Sequence, residues 1–143
     1  MSGSRSRTRQ AVVQALYQWQ VTAQPAADIS RCFLRTEECC GLDEEYFAEL
    51  IREVPGHVQE LDALLAPYLD RPLAEVDPVE RAILRLGAYE FLYHPEIGYR
   101  IVLNEAVELA KVFGGDAGHK FVNAVLDRTA ARARPHEARP RHG

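Results

Sequence analysis

Residues 77–92 constrain the fold most, because they predict a helix that has to be buried on several sides. Asp77 can cap that helix, Pro78 suits its first position, and Glu80 stands where a capping box has its reciprocal carboxylate. The residues that follow are apolar around nearly the whole helix surface: Ile83, Leu84, Leu86, Ala88, Tyr89, Phe91 and Leu92. Such a helix is stable only among other helices, so the sequence predicts a central helix. Glu90 falls on its apolar stripe and needs buried partners there.

The rest of the chain has the same helical periodicity, and no stretch shows the alternation of a half-buried strand. Helices are predicted near residues 7–21, 27–35, 43–54, 58–69, 77–92, 101–113 and 119–131. A chain of 143 residues with this pattern predicts one all-α domain of about seven packed helices. Pro72 marks the candidate boundary between subdomains at residues 5–70 and 75–131. Residues 132–143 are expected to form a disordered basic tail.

Charge is distributed unevenly along the chain. Residues 1–10 carry three arginines and no acid, and residues 132–143 carry four arginines and one glutamate. The residues between them carry 20 acidic and 10 basic side chains. Basic ends on an acidic body favour an anionic partner that meets one edge of the protein, although two solvated tails would give the same pattern.

Several classes of function find no support in the sequence. Cys32, Cys39 and Cys40 lack the spacing of a disulfide framework or a zinc site, and the five histidines form no metal-binding pair. Because hydrolase, metalloprotease and phosphate-loop motifs are missing, we expect no enzymatic activity, no metal and no cofactor. Neither a signal peptide nor an apolar run of about 20 residues is visible. We therefore expect a cytoplasmic protein with reduced cysteines and no membrane contact.

The first predicted helix has an outer face suited to single-stranded RNA. Projected at about 100° per residue, Arg7, Gln14 and Tyr17 lie away from its apolar stripe. A guanidinium can pair with a phosphate, an amide can bond a base edge, and a phenol ring can stack on a base. Arg5 and Arg9 flank this face, and no acidic residue is near them in sequence. The alternative is that Tyr17 packs on a neighbouring helix.

A second aromatic residue lies off the apolar stripe of the last predicted helix. That stripe consists of three residues: Val122, Val125 and Leu126. Phe121 lies about 90° from its centre, on a flank that also carries Lys120 and Arg128. An aromatic ring beside cationic side chains can stack a base and hold a phosphate. This flank is therefore a second candidate RNA contact.

Several sequence segments occur in a specific order. After the N-terminal arginines come AVVQALYQWQ (11–20), PVERAILRLGAYE (78–90), LNEAVELAK (103–111) and HKFVNAVLD (119–127). Together they resemble the NusB family of bacterial transcription antitermination proteins, and the resemblance covers about residues 5–131. It implies a single all-α domain built from two packed helical subdomains, which agrees with the periodicity.

The resemblance also implies partners. Proteins of this kind bind the single-stranded boxA element of nascent rRNA transcripts together with the ribosomal protein NusE. RNA polymerase, in a complex with other Nus factors, then reads through terminators. The RNA contacts expected from the resemblance and the helix projections are Arg5, Arg7, Arg9, Gln14, Tyr17, Lys120, Phe121 and Arg128. Glu80 and Tyr99 are expected to face NusE, and the chain itself is expected to be a monomer or a weak homodimer.

A protein-binding helical adaptor without RNA contact is the alternative. An adaptor has no need of exposed aromatic side chains beside basic residues. Tyr17 and Phe121 both have this arrangement, which favours RNA binding.

Overall fold

Helices account for the regular structure of this chain in a computed structural model that describes residues 2–36, 41–113 and 117–138. The α-helices are α1 (Ser2–Thr22), α2 (Ala26–Leu34), α3 (Glu44–Gly56), α4 (Val58–Leu65), α5 (Pro78–Tyr93), α6 (Tyr99–Phe113) and α7 (Gly118–Ala133). Two short 3-10 turns lie between α4 and α5: Ala66–Tyr68 and Leu73–Glu75. Within these described ranges there is no strand, and the all-α prediction is confirmed.

The chain divides into two compact units, residues 1–57 and 58–143. This boundary lies earlier than the expected one near Pro72, because α4 belongs with the helices that follow it. Leu61 and Leu65 of α4 are fully buried. Asp62 of the same helix accepts two hydrogen bonds from the Arg85 guanidinium of α5, at 2.9 and 2.8 Å. A bidentate pair of this kind holds α4 in a defined register against α5.

The first unit consists of α1, α2 and α3, packed on a small apolar core. Its most deeply buried side chains are Val12, Leu16, Phe47, Leu50 and Val54. The rings of Phe33 and Phe47 stack with their centroids 4.9 Å apart, which joins α2 to α3. Asp43 caps α3 as predicted, since its side chain accepts from the Tyr46 backbone N–H at 3.1 Å. Helix α3 runs through Pro55 and ends at Gly56, close to the predicted break.

In the second unit, α5 is the central helix, as predicted. Every residue from Leu86 to Phe91 is buried, and Gly87 allows a close approach of α7. A Cβ atom at Gly87 would lie 2.9 Å from Cδ1 of Leu126, so only glycine fits there without movement. The predicted cap is present, because Asp77 accepts from the backbone N–H groups of Val79 and Glu80.

The predicted burial of Glu90 is also present, since this residue is 1% exposed. In the part of the chain that the structure describes, no buried side-chain nitrogen or oxygen lacks a hydrogen-bond partner. The carboxylate on the apolar stripe of α5 is therefore satisfied inside the core, as a buried charge has to be.

The carbonyl end of α5 is capped by Arg134, a buried arginine that the sequence analysis assigned to the tail. Its guanidinium donates to the backbone oxygens of Phe91 (2.8 Å), Ile97 (2.9 Å), Glu90 (3.1 Å) and His94 (2.9 Å). The last carbonyls of a helix have no partner within the helix and carry partial negative charge. One cation thus satisfies the end of α5 and holds the loop that leads to α6.

Glu137 completes this arrangement at the start of α6. Its Oε1 accepts from Arg134 at 2.7 Å, and its Oε2 accepts from the Tyr99 backbone N–H at 3.1 Å. The Tyr99 N–H and then the Arg134 guanidinium hold the pKa of Glu137 below its usual value. The expectation of a disordered tail is therefore corrected for residues 132–138, where Arg134 and Ala138 are buried. Residues 139–143 lie outside the described ranges.

Replacing Arg134 by methionine should strongly destabilise the protein. The apolar stem keeps its packing, but four carbonyl groups and the Glu137 carboxylate lose a charged donor. A buried carbonyl group left without a donor costs about 1–3 kcal/mol, whereas the Glu137 carboxylate is exposed enough to be solvated by water. Denaturant unfolding of the parent and the Arg134→Met variant measures the difference.

Arg132→Met is the matched control, since Arg132 lies exposed on the last turn of α7, two residues before Arg134. Its free energy of unfolding should change by less than about 0.5 kcal/mol. A loss below about 1 kcal/mol for Arg134→Met would mean that water satisfies the end of α5 equally well.

Candidate nucleic-acid interface

Tyr17 and Gln14 lie exposed on the outer face of α1. The Tyr17 side chain is 42% exposed, whereas Val12 and Leu16, on the apolar stripe of the helix, are 1% exposed or less. Arg7 lies about two helical turns before Gln14, is also exposed, and donates from Nη2 to the Gly41 carbonyl at 2.8 Å. The structure therefore brings Arg7, Gln14 and Tyr17 to the surface, and the ring of Tyr17 is not part of the core of its unit.

Arg5 and Arg9 are both engaged with Tyr46 of α3. The Arg5 guanidinium carbon lies 3.7 Å from the ring centroid of Tyr46, and that of Arg9 lies 5.8 Å from it. Arg5 keeps a side-chain exposure of 37% and pairs with Asp43 at 3.3 Å. Arg9 is only 4% exposed, so its expected role as a phosphate contact is corrected to a packing role. A guanidinium held this far from solvent cannot pair with a phosphate at the surface.

Asp43 connects the basic end of α1 to the start of α3. Its backbone N–H donates to the Thr8 hydroxyl at 2.9 Å, and its carboxylate accepts from Arg5 and from the Tyr46 N–H. The Tyr46 N–H, more than Arg5, holds the pKa of the Asp43 carboxyl below its usual value. This network fixes the orientation of Arg5 before any ligand arrives.

In the second unit, Lys120 and Phe121 lie on the first turns of α7. Lys120 is exposed and Phe121 is half-buried, while Val122, Val125 and Leu126 are buried as predicted. The Arg71 guanidinium carbon lies 4.9 Å from the centroid of the Phe121 ring. Arg71 also donates from Nη1 to Asp70 at 2.9 Å. The Phe121 flank thus contains a cation that the sequence analysis did not identify.

Arg128 lies apart from this pair. It is eight residues beyond Lys120 on the same helix, which is about 12 Å along the axis. Arg128 lines a polar groove between α6 and α7, together with Tyr99, Arg100, Asn104, Asn123 and Asp127. The structure therefore places Arg128 beside Tyr99, an expected partner contact, rather than beside Phe121.

The two residues expected to face NusE lie near opposite ends of α5. Glu80 is in its first turn, about 20 Å along the helix axis from the last residue, Tyr93, and Tyr99 follows the loop after that end. The Glu80 carboxylate does not return the capping-box bond to Asp77. It lies against α7 instead, where its Oε2 is 2.9 Å from the position that a Cβ of Gly118 would occupy. Burial, and then the charge of Asp77, raise the pKa of Glu80, while Arg71 lowers it.

Three further features of the described residues concern metal binding, thiols and membrane spans. In those ranges no group of three or more histidine, cysteine, aspartate or glutamate residues could hold a metal ion. Cys32 is a free, exposed cysteine, whereas Cys39 and Cys40 lie outside the described ranges. Among the same described residues, no helix has both the length and the apolar character to span a membrane.

Arg71 is a functional candidate that sequence reasoning missed. Arg71 stands in the segment Asp70-Arg71-Pro72, which reads only as a break between helices. In the sequence, Arg71 is visible only as an arginine between an acid and a proline. Nothing in the spacing of residues relates it to Phe121, 50 positions later. Such a contact depends on how the chain returns to itself, which periodicity does not encode.

Comparison with known proteins identifies close relatives. A profile of the NusB family matches residues 6–131. The transcription antitermination protein NusB of Nitrosococcus oceani is 52% identical over 99% of this chain and 95% of its own length. That of Marinobacter nauticus is 48% identical over 98% of this chain and 89% of its own length. The solved structure of T. maritima NusB is 30% identical, with a TM-score of 0.78 over 93% of this chain and 95% of that one.

The Asp43 cap should make stability depend on pH in the acid range. Its folded-state pKa lies below the ordinary value of 3.8 for an aspartate, so its contribution is fully present above that pH. The contribution is lost as the pH falls through the folded pKa, because protonation removes the charge that Arg5 and Tyr46 stabilise. In the Asp43→Asn variant the cap is retained but cannot ionise.

Unfolding free energies of the parent and Asp43→Asn between pH 7 and pH 2 test this expectation. The difference between the two proteins should be constant above about pH 5 and should shrink below about pH 4. A difference that stays unchanged down to pH 2 would show that the Asp43 charge contributes nothing to the folded state.

Proposed function

Since the chain belongs to the NusB family of transcription antitermination proteins, we propose that it acts with the ribosomal protein NusE on boxA-type RNA. Membership of this family makes it a transcription antitermination factor and not an enzyme. The proposal concerns the ligand and the partner: a single-stranded boxA element of nascent rRNA, bound jointly with NusE. RNA polymerase, in an elongation complex with other Nus factors, would then read through terminators.

The observation that carries the RNA-binding proposal is the exposure of Tyr17 beside basic residues. A tyrosine with 42% of its surface in solvent is a poor contributor to a core but a good stacking platform. Stacking on an aromatic ring tolerates any base, and it contributes about 1–3 kcal/mol per base in proteins that bind single strands. Gln14 lies one turn before Tyr17 on the same helix and can hydrogen-bond a base edge.

Arg5 and Arg7 supply the phosphate contacts of this face in the proposal. Arg7 is exposed, and its bond to the Gly41 carbonyl uses only one of the donors of its guanidinium. Arg5 is held by the Asp43 carboxylate and the Tyr46 ring in a fixed orientation. Preorganised cations lose little side-chain entropy on binding, so each contact gains more affinity than a mobile lysine would.

In the second unit, Lys120 and Phe121 form a separate RNA contact in the proposal. The ring is half-buried, so one part of it packs in the fold and another part is available to a base. Arg128 lines the groove beside Tyr99 and is better placed for a contact at that groove. Within α7, the RNA contact is therefore assigned to the first turns and not to the whole helix.

The surface for NusE is proposed to include Glu80 and Tyr99. Glu80 is a half-buried carboxylate whose pKa is raised by burial, and a cationic side chain of a partner would stabilise its charged form. Tyr99 has its backbone held by Glu137, so its position at the start of α6 is defined before a partner binds.

Truncating Tyr17 should separate RNA binding from stability. Tyr17→Ala is expected to weaken binding of a labelled boxA-type RNA by about 1–3 kcal/mol, because one stacked base is lost. Its melting temperature should stay within a few degrees of the parent, since little buried surface is removed. Tyr17→Phe is the matched control, because it keeps the ring and should bind almost as the parent does.

A thermal melt and an RNA titration on the same samples, with and without NusE, decide this prediction. If Tyr17→Ala unfolds early and its folded fraction binds RNA normally, the phenol belongs to the packing and not to the interface. If all three proteins fail to bind RNA under both conditions, the adaptor alternative is favoured.

Charge reversal at Glu80 should affect the protein partner selectively. The variant Glu80→Arg is expected to bind NusE at least several-fold more weakly, while its binding of RNA in the absence of NusE should not weaken, because the change adds positive charge near Arg71. Glu108→Arg is a charge-matched control on the exposed surface of α6. Because Glu80 is half-buried, Glu80→Gln serves as a gentler second variant and should weaken NusE binding in the same direction.

Partner binding is measured by calorimetry on variants that a thermal melt shows to be folded. Full NusE affinity in both Glu80 variants would remove this residue from the partner surface. Equal losses in the Glu80 and Glu108 variants would indicate a general effect of net charge.

A further inference from the structure

Arg71 lies over the ring of Phe121 and belongs to a connecting segment outside the helices. It stands between the 3-10 turn Ala66–Tyr68 and α5, and its guanidinium carbon is 4.9 Å from the centroid of the ring. The Arg71 side chain keeps 38% of its surface in solvent. A long cationic side chain at the surface loses rotamer entropy when it is held over one ring. A favourable interaction of the guanidinium has to offset that loss.

We propose that Arg71 is a further RNA-contacting residue, which extends the Phe121 ring into a platform for one unpaired base and pairs with the adjoining phosphate. The inference rests on the proposed RNA-binding function and deepens it by adding a residue that the family resemblance did not bring in. Unpaired bases stack on arginine guanidinium planes as well as on aromatic rings. A guanidinium that lies over a ring presents its own outer face to a base, so the stacked surface extends outward from the Phe121 ring.

The hydrogen-bonding capacity of Arg71 supports a phosphate contact. A guanidinium carries five N–H donors in a rigid fork, and Asp70 accepts from one of them at 2.9 Å. That ion pair is weak, because the Asp70 side chain is 71% exposed and the pair is screened by water. A phosphate can replace Asp70 at little cost and can be held in a bidentate manner.

The charges around this position are consistent with one anionic ligand. Lys120 is exposed next to Phe121 in the sequence and adds a second cation. Glu80 is close enough to Arg71 for the guanidinium to lower its pKa, but its carboxylate lies against Gly118 of α7. Arg71 therefore has a solvated carboxylate partner in Asp70 and a half-buried carboxylate near it in Glu80, while Lys120 adds an exposed cation at the same turn of α7 as Phe121.

A purely structural contact would have the opposite consequence for RNA binding. If Arg71 only covered the hydrophobic ring, it would compete with a base for that ring and would have to move aside. Removing it would then improve binding. The sign of the effect thus distinguishes a platform from a cover.

The test compares Arg71→Ala, Arg71→Lys and the control Arg132→Ala in titrations of a labelled single-stranded boxA-type oligonucleotide in the presence of NusE. Arg71→Ala is expected to bind at least five-fold more weakly, and its slope of log K against log salt should be shallower by about 0.7. Arg71→Lys should keep the salt slope but recover only part of the affinity, since an ammonium has no planar face. Arg132, about 16 Å further along α7 than Phe121, should matter less than two-fold.

Phe121→Ala and the double variant Arg71→Ala/Phe121→Ala separate this inference from the function on which it rests. If the two residues form one platform, the double variant should bind little more weakly than Phe121→Ala alone. Normal binding by both Tyr17→Ala and Phe121→Ala would overturn the proposed RNA surface itself. Weakened binding by those two variants, with parental or tighter binding by Arg71→Ala, would overturn the role of Arg71 alone. Thermal melts show whether each variant is folded, which matters most for Phe121→Ala because that ring is half-buried.

Discussion

The guanidinium of Arg134 at the carbonyl end of α5 is the interaction on which much of the second unit depends. Helix α5 is buried on nearly every side, so its last carbonyls cannot rely on water and need a donor from the protein. Arg134 provides it, holds the Ile97 carbonyl in the loop, and is itself held by Glu137. Since Glu137 also accepts from the first N–H of α6, one ion pair joins the end of one helix to the start of the next.

In the first unit, the same side chains have both a structural role and a proposed functional role. Asp43 caps α3 and orients Arg5, and the Tyr46 ring lies against both Arg5 and Arg9. The more exposed arginine is available to a ligand, whereas the buried one packs on the ring. Asp43 and Tyr46 thus hold the Arg5 guanidinium at the surface before a ligand binds. A local cation of this kind can attract an anionic ligand although the chain between its basic ends is acidic.

The candidate site was predictable to different degrees at different residues. The exposure of Tyr17 followed from its angle to the apolar stripe of α1, which turns the phenol ring away from the core of unit 1. Arg9 was wrongly expected at the surface, since a helical projection cannot tell whether a residue on the edge of the stripe meets another helix. The pairing of Arg71 with Phe121 was beyond any local pattern, because the two residues are distant in sequence and touch only after the chain has folded.

The sequence by itself determined which segments are helical, where Asp43 and Asp77 cap them, and that α5 is central. These properties depend on interactions within a few residues, namely side-chain caps and the 3.6-residue period of apolar positions. Tertiary structure alone decided that α4 joins the second unit, that Arg134 and Glu137 belong to the fold, and that Arg71 meets Phe121. Each of these results from long-range burial and hydrogen bonding, where a buried polar group takes whichever partner the packing brings near.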